Sequence, residues 1–334
     1  MNMEDSMRFE QIKTPTGHIC IMQGEKGKSL EFLSLGDYGK EKNIKADFMG
    51  IGREINGVPH GELLPLEEKW VITISSQYGC SMGCAFCDVP QVGIGENATF
   101  NDLINQVKCA LALHPEVKHA ARINLHYARM GEPTFNEFVI ESAYYLKGFF
   151  DGLGWGFHPV ISTIIPEIKT DYKIRFIEDW LTLKDRFNGE AGLQISINTT
   201  DENIRRKTMP HAMSILKIEN TLLHAIKGLK GRKIALNFAL TDAPVCSSLL
   251  RSCFDPQYFM CKITPMHNTK AVIKNGMMTD GGYDYYYPYK QVEEDLKNAG
   301  FDVLVFIPSK EEDESRITCG NAILSSRNKK TEYQ

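Results

Sequence analysis

Three cysteines, Cys80, Cys84 and Cys87, stand in the run Tyr78-Gly-Cys-Ser-Met-Gly-Cys-Ala-Phe-Cys-Asp88, spaced C-x3-C-x2-C with an aromatic residue before the last. Thiolates at this spacing in one short loop read as ligands of an iron-sulfur cluster. Three of them hold three irons of a [4Fe-4S] cube and leave the fourth iron without a protein ligand, as a cluster needs if it is to bind and activate a small molecule. A structural zinc site would want four ligands, usually as two pairs, and no second cysteine pair or H-x3-H completes this one. Disulfides are disfavoured because no signal peptide precedes the loop. Inert buried thiols are a poor account of three cysteines flanked by Gly79 and Gly83.

A second constellation, Met130-Gly-Glu-Pro-Thr-Phe-Asn136, follows. Gly131 and Glu132 at a strand's end would bring backbone carbonyls and a carboxylate to a cationic amine. The plainer reading is a Gly-Pro turn with a solvated glutamate, but the motif comes one strand after the cysteine loop, in the order a shared site requires.

The elements that must position these residues have an α/β pattern. Trp70-Val-Ile-Thr-Ile74 reads as a first strand whose C-terminal end runs into the cysteine loop, where parallel barrels place their chemistry. Further strands are expected at 121–128, 158–164, 192–198, 233–240, 259–264 and 301–307. Thr99 caps a helix through about Leu113, with Leu103, Ile104, Val107, Ala110 and Leu111 on one face. More helices are expected at about 135–149, 172–186, 214–228 and 289–299. Six or so strand-helix repeats imply a partial (β/α)6 TIM-like barrel over residues 70–334. Residues 1–69 differ: strand-like pieces at His18–Met22 and Leu30–Leu35, broken by glycines, imply a small β-rich N-terminal extension.

Composition bounds the class. The chain has 334 residues, 43% hydrophobic and 24% charged, enough for a full core. No apolar run approaches the roughly 20 residues of a membrane span, and the first ten residues carry no targeting signal, so a cytoplasmic enzyme is expected. Nine cysteines, an odd number, are then better read as ligands, reactive thiols or small hydrophobes than as a disulfide framework. The basic clusters Arg205-Arg-Lys207 and 227–233 read as solvated faces, and Arg327-Asn-Lys-Lys330 as a frayed tail.

The ordered set of Ser75-Ser-Gln-Tyr-Gly-Cys-Ser-Met-Gly-Cys-Ala-Phe-Cys87, Met130-Gly-Glu-Pro133, Gln194-Ile-Ser-Ile-Asn198 with Met209-Pro210, and Cys319-Gly320 resembles the RlmN/Cfr family of radical S-adenosylmethionine (radical SAM) enzymes. The likeness runs from about Trp70 to Cys319. That family methylates an adenine ring carbon in ribosomal or transfer RNA. The resemblance implies a radical SAM barrel with a [4Fe-4S] cluster on Cys80, Cys84 and Cys87 whose open iron chelates S-adenosylmethionine, and a flavodoxin- or ferredoxin-type electron donor. It places Gly131 and Glu132 at the cofactor's amine, and Ser162, Ser196, Asn198 and one of His267 or Asn268 among its other contacts. Cys319 matches the family's catalytic cysteine, which takes a methyl group at sulfur as a thiolate before a radical step delivers the carbon to the acceptor. Arg316 is a candidate to help deprotonate it.

Three departures matter. Asn198 stands where the family has histidine. Thr73 occupies the place of a resolving cysteine, leaving Cys20, Cys109, Cys246, Cys253 and Cys261 as other thiols; the wide spacing of the last three favours buried thiols over a second cluster. The segment before Trp70 does not look like the family's RNA-binding helical domain, and a net charge of −4 with pI near 6.2 lacks the basic excess of an RNA surface. A radical SAM enzyme acting on a small molecule or peptide is therefore the rival reading, and a non-catalytic metal-stabilised module a second.

Overall fold

The computed structural model describes residues 9–37, 54–55, 58–59, 63–167, 172–223, 225–279, 287–308, 310–317 and 322–324. Strands β1 (Phe9–Thr14), β2 (Gly17–Gln23) and β3 (Ser29–Leu35) form an antiparallel meander, and β4 (Glu54–Ile55) pairs with β5 (Val58–Pro59) as a small hairpin. The core then alternates: β6 (Trp70–Ile74), a hairpin of β7 (Gln77–Gly79) and β8 (Ile94–Asn97), α1 (Phe100–Ala112), β9 (Ile123–Tyr127), α2 (Phe138–Leu153), β10 (Phe157–Thr163) and α3 (Tyr172–Arg186). It continues with β11 (Gly192–Ser196), α4 (Glu202–Thr208), α5 (Ile215–Leu222), β12 (Ile234–Leu240), α6 (Ser247–Cys253), β13 (Phe259–Pro265), α7 (Lys270–Lys274), α8 (Tyr287–Asn298), β14 (Asp302–Val305) and α9 (Lys310–Glu314).

Ten strands make one sheet in the order β1-β2-β3-β6-β9-β10-β11-β12-β13-β14. From β6 onward the neighbours are parallel, so seven strands carry six strand-helix units, the expected partial barrel. The N-terminal meander prolongs that sheet through antiparallel pairing of β3 with β6. Strand β1 lies outside the strand-like pieces expected from sequence, because Phe9-Glu-Gln-Ile-Lys-Thr14 carries only two large apolar residues. Helices α4, α6, α7 and α9 are likewise additions; at five to seven residues they are too short to show a helical period. The helix expected at 214–228 is the shorter α5, which gives way to turns after Leu222.

Residues in register across parallel strands share a face. One face is apolar: Ile72, Leu125, Ile161, Leu193, Leu236 and Ile263 lie buried under the helices in the main core. The other is polar and only partly buried. Thr73 registers with His126, Ser162 with Gln194, Ser196 with Asn237, and Asn237 with Lys262. A barrel interior lined by such groups is open to a ligand where an apolar one would be packed shut. Thr99 caps α1 as expected, in a reciprocal box with Asp102. No described helix is long and apolar enough to cross a membrane.

Candidate functional site

The chain leaves β6 at Ile74 and enters the cysteine loop through two anchored serines. Ser75 exchanges hydrogen bonds with the Gln106 side chain on α1 (2.8 and 3.0 Å), and its hydroxyl donates to the Glu31 carbonyl at 2.5 Å. Tyr78 donates to Asp102 at 2.5 Å, and burial with this acceptor pushes the Tyr78 phenol pKa up. Gly79 sits at φ 91°, and a Cβ there would lie 2.2 Å from the Gly93 carbonyl oxygen, so only glycine lets the β7–β8 hairpin close. Around its last two cysteines the loop is stapled to the distant helices α4 and α7. The Ala85 N–H donates to the Thr208 carbonyl (2.8 Å), Thr269 donates to the Phe86 carbonyl (2.7 Å), and Asn275 to the Ala85 carbonyl (2.6 Å). Asp88 accepts from the Lys270 and Ala271 N–H groups at 3.0 and 2.8 Å.

Cys80, Cys84 and Cys87 are not joined in disulfides and are partly buried. Burial pushes the Cys80 thiol up to about 12. The Cys84 thiol is raised well above its usual value, by burial first and then by its two sister cysteines, while nearby Arg205 opposes the shift. Bare thiolates are thus costly here, and iron coordination would reverse that balance by binding the deprotonated form. The thiols are near enough to raise one another's pKa, yet among the described residues no three His, Cys, Asp or Glu side chains gather as around a single ion. Three thiols on one short loop are a donor set that suits a cluster with one iron left without a protein ligand. The backbone N–H groups of Met82 and Gly131 oppose that rise at Cys80.

Gly131 has φ 97°, and a Cβ would meet the Gln77 side chain at 2.6 Å and the Gln77 nitrogen at 2.8 Å. The next N–H, of Glu132, donates to Gln77 Oε1 (2.9 Å), and the Ser76 and Gln77 N–H groups both reach the Met130 carbonyl (2.8 and 3.2 Å). The two sequence motifs are therefore one hydrogen-bonded unit. The Glu132 carboxylate is buried, not solvated. Its Oε1 accepts from the Thr134 N–H (3.2 Å), the Thr134 hydroxyl (2.8 Å) and the Thr163 hydroxyl (2.6 Å); Oε2 accepts from the Ile164 N–H (3.1 Å). Burial still raises its pKa, with Thr163 the strongest opposing partner. Thr163 and Thr134 are the functional residues that sequence reasoning missed, beside Ser162 and inside the Gly-Glu-Pro-Thr run.

The other expected contacts divide. Ser162 and Ser196 lie half-buried on the polar face. Asn198, at φ 62°, accepts from the Ala239 N–H (3.0 Å) and turns its amide to Met209 sulfur (3.7 Å), so it braces β11 against β12. His267 Nδ1 is 2.9 Å from Asp313 Oδ1 on α9, and the Asn268 backbone N–H contacts the same carboxylate at 3.3 Å, leaving the Asn268 side chain exposed. Arg205 is 1% exposed, and donates to the carbonyls of Ser196, Ile197 and Met213 (3.0, 2.6 and 3.1 Å), so the solvated face expected of Arg205-Arg-Lys207 fails for its first member. Cys319 lies outside the described residues, as do Thr318, Gly320 and the tail at 327–330. Burial raises Cys20 to about 12, Cys109 to about 11 and Cys261 to about 12, and Cys253 also shifts up. Exposed Cys246, after β12, is lowered by the Ser248 hydroxyl and backbone N–H groups.

No family model matches the chain. It is 30% identical over 219 residues, 63% of its length, to the dual-specificity RNA methyltransferase RlmN of a Nitratiruptor species, of which it covers 56%. It is 32% identical over 148 residues, 43% of its length, to the RlmN of Wolinella succinogenes, covering 37%. Among solved structures, a radical SAM methyltransferase from Sphaerobacter thermophilus aligns over 90% of this chain and 77% of that one, with TM-score 0.62 and 16% identity. The chain is thus similar in part of its sequence to RlmN-named RNA methyltransferases and in fold to a radical SAM methyltransferase. This RlmN-like chain spans about half the length, or less, of the curated relatives it matches, 38%, 46% and 56% of three of them. The fold of the Sphaerobacter enzyme agrees with the parallel sheet and flanking helices of this chain.

Proposed function

We propose that this chain is a radical SAM methyl synthase that carries a methyl group on Cys319 to an sp2 carbon of an adenine or related heterocycle. The observation that carries the reading is the union of the cysteine loop with Gly131-Glu132: the Ser76 and Gln77 N–H groups meet the Met130 carbonyl, and the Gln77 side chain holds the Glu132 N–H. A mere metal clip has no use for that second motif.

Cys80, Cys84 and Cys87 would hold a [4Fe-4S] cluster. Reduced by a flavodoxin- or ferredoxin-type donor, such a cluster supplies the electron that cleaves S-adenosylmethionine to methionine and a 5′-deoxyadenosyl radical. Gly131, at a φ that only glycine adopts freely, turns the backbone back against Gln77 and the cysteine loop, which sets the peptide groups offered to the cofactor's amine. Glu132 supports that turn by tying the ends of β9 and β10 together through Thr163 and Ile164. Ser162, Ser196 and His267, whose Nδ1 is oriented by Asp313, offer further polar contacts from the barrel mouth. Cys319, as a thiolate that has lost its proton, would take the methyl group of one S-adenosylmethionine, its new sulfur–carbon bond forming as the methyl–sulfonium bond breaks and S-adenosylhomocysteine leaves.

The names of the relatives make RNA the first acceptor to test. A second reading, a small anionic acceptor, is favoured by the barrel's polar face: Lys262 lies there against the Phe306 ring (5.4 Å) with no carboxylate partner among the described residues, and burial lowers it to about 8. The test is anaerobic reconstitution followed by reductant and S-adenosylmethionine. Release of 5′-deoxyadenosine and a one-methyl mass increase on the tryptic peptide from Ile317 to Arg327 support the proposal. Deoxyadenosine with an unmodified Cys319 would leave a hydrogen-abstracting radical SAM enzyme, and neither product would leave a metal-stabilised module.

A further inference from the structure

Side chains two residues apart on a strand share a face, so the polar face can be followed down to the end of the barrel opposite the cysteine loop. Lys69 stands there below Val71 and Thr73, Arg122 below Asn124 and His126, His158 below Val160 and Ser162, and Glu190 below Gly192 and Gln194. Arg232 precedes β12 and reaches in over Gly192, where a Cβ would lie 3.2 Å from its Nη1. Burial, and after it the like charge of Arg122, lowers the Arg232 pKa.

Charges at this end of a parallel barrel ordinarily serve stability, and a stabilising set is paired. Three pairs do exist: Lys69 with Asp37 (2.8 Å), Lys233 with Asp302 (2.6 Å) and His158 with Glu190 (2.8 Å). They use the three carboxylates and leave cations over. Arg122 Nε donates only to the Asn124 side chain (3.0 Å). Glu190 offsets some of the Arg232 charge, but the acceptor it offers Arg232 is its main-chain carbonyl (3.3 Å). Higher in the same lumen, Lys262 has no carboxylate partner among the described residues. Lys262 and His126 are enclosed by the barrel yet keep accessible surface, as do Thr73, Gln194 and Asn237. Burial first, then Lys262 and Arg232, push His126 down to about 3, so its ring is neutral and can donate a hydrogen bond without adding charge.

We infer that the lower lumen is a binding site for a phosphate-class dianion, with Arg122 and Arg232 at its mouth and Lys262 above them. Guanidinium forks match the oxygen spacing of a phosphoryl group, and a lysine adds a point charge. A dianion would offset the three cations that the protein's own carboxylates leave over. The site lies away from the cysteine loop and stands whether or not Cys319 carries a methyl group.

The test is isothermal titration calorimetry of the full chain in phosphate-free buffer with inorganic phosphate and with adenosine 5′-monophosphate, adenosine being the uncharged control. Both anions should bind saturably and adenosine should not. Tighter binding of the nucleotide would assign the site to the phosphate end of an organic ligand, and equal or weaker binding would assign it to phosphate itself. Lys262→Met, which keeps the stem against Phe306, and Arg232→Gln should each weaken binding about tenfold or more, the loss of one charge-assisted contact. Lys262→Met should also raise the thermal unfolding midpoint of the ligand-free protein, because it removes a charge without a counter-ion. Lys227→Ala with Lys230→Ala, at exposed positions outside the lumen, should bind as wild type does. Absence of saturable binding, normal binding by the two lumen variants, or loss of binding in the surface variant would overturn the inference. So would a lower midpoint in ligand-free Lys262→Met, which would make Lys262 a structural cation.

Discussion

Replacing Thr163 by valine removes one hydroxyl at nearly constant volume. That hydroxyl donates to Glu132 Oε1 at 2.6 Å and accepts from the Ile165 N–H at 2.8 Å, and both partners are buried. Losing a hydrogen bond to an ionised carboxylate costs about 1.5–3 kcal/mol, against about 0.5–1.5 kcal/mol to a neutral one. The orphaned Ile165 N–H adds about 1–3 kcal/mol at any pH. The cost of the variant should therefore depend on pH. Burial raises the folded pKa of Glu132 above its unfolded value, so the folded state binds the extra proton between the two, and stability falls as pH rises through that window. Thr163 is the largest group opposing the shift, so its loss widens the window. Urea unfolding of reduced protein at pH 5 and pH 8 should show Thr163→Val losing about 1 kcal/mol more at the higher pH, with Thr163→Ser close to wild type. A cost independent of pH, or a serine variant as impaired as valine, would refute the account of Glu132 as a buried carboxylate held by this hydroxyl.

Gly131→Ala should cost about 1–3 kcal/mol from backbone strain alone, more with the contact to Gln77, and cluster content after reconstitution should drop with it, measured as iron per chain. Asp88→Ala removes the acceptor for two N–H groups opening α7; a stability loss of about 0.5–2 kcal/mol with faster bleaching of the cluster in air is expected. Cys84→Ser should abolish the brown chromophore, whereas Cys261→Ser, at a buried thiol away from the loop, should retain it in absorption spectra. Cys246, its pKa lowered, should be the first described thiol to react with a disulfide reagent, and Cys20, Cys109 and Cys261 should stay silent until unfolding.

The cysteine loop at the end of β6, the Thr99 cap and the strand alternation from Trp70 onward were legible because each is a local pattern. Glu132 was legible as a motif member but not as a buried acid, since its partner Thr163 lies 31 residues away. The buried ion pair of Arg129 with Glu31 joins residues 98 apart, and neither has a neighbour in sequence that hints at the other. The triplet Arg205-Arg-Lys207 shows the limit of charge as a sign of exposure, because three backbone carbonyls give Arg205 the partners that water would otherwise supply. Polar residues such as Gln194 and Lys262 sit within otherwise apolar strands. Only the register across β11, β12 and β13 shows that they share the barrel's open face.

The staples from the cysteine loop to α7 also impose a schedule on the living chain. Lys270 lies 182 residues beyond Asp88, and at about 5–20 residues per second a ribosome takes about 9–36 s to make that stretch. During this interval the three thiols have emerged but lack the backbone groups that fold their loop. Cluster insertion is thus expected to follow completion of most of the polypeptide, and nascent chains interrupted before Thr269 should be the form most vulnerable to oxidation at these cysteines.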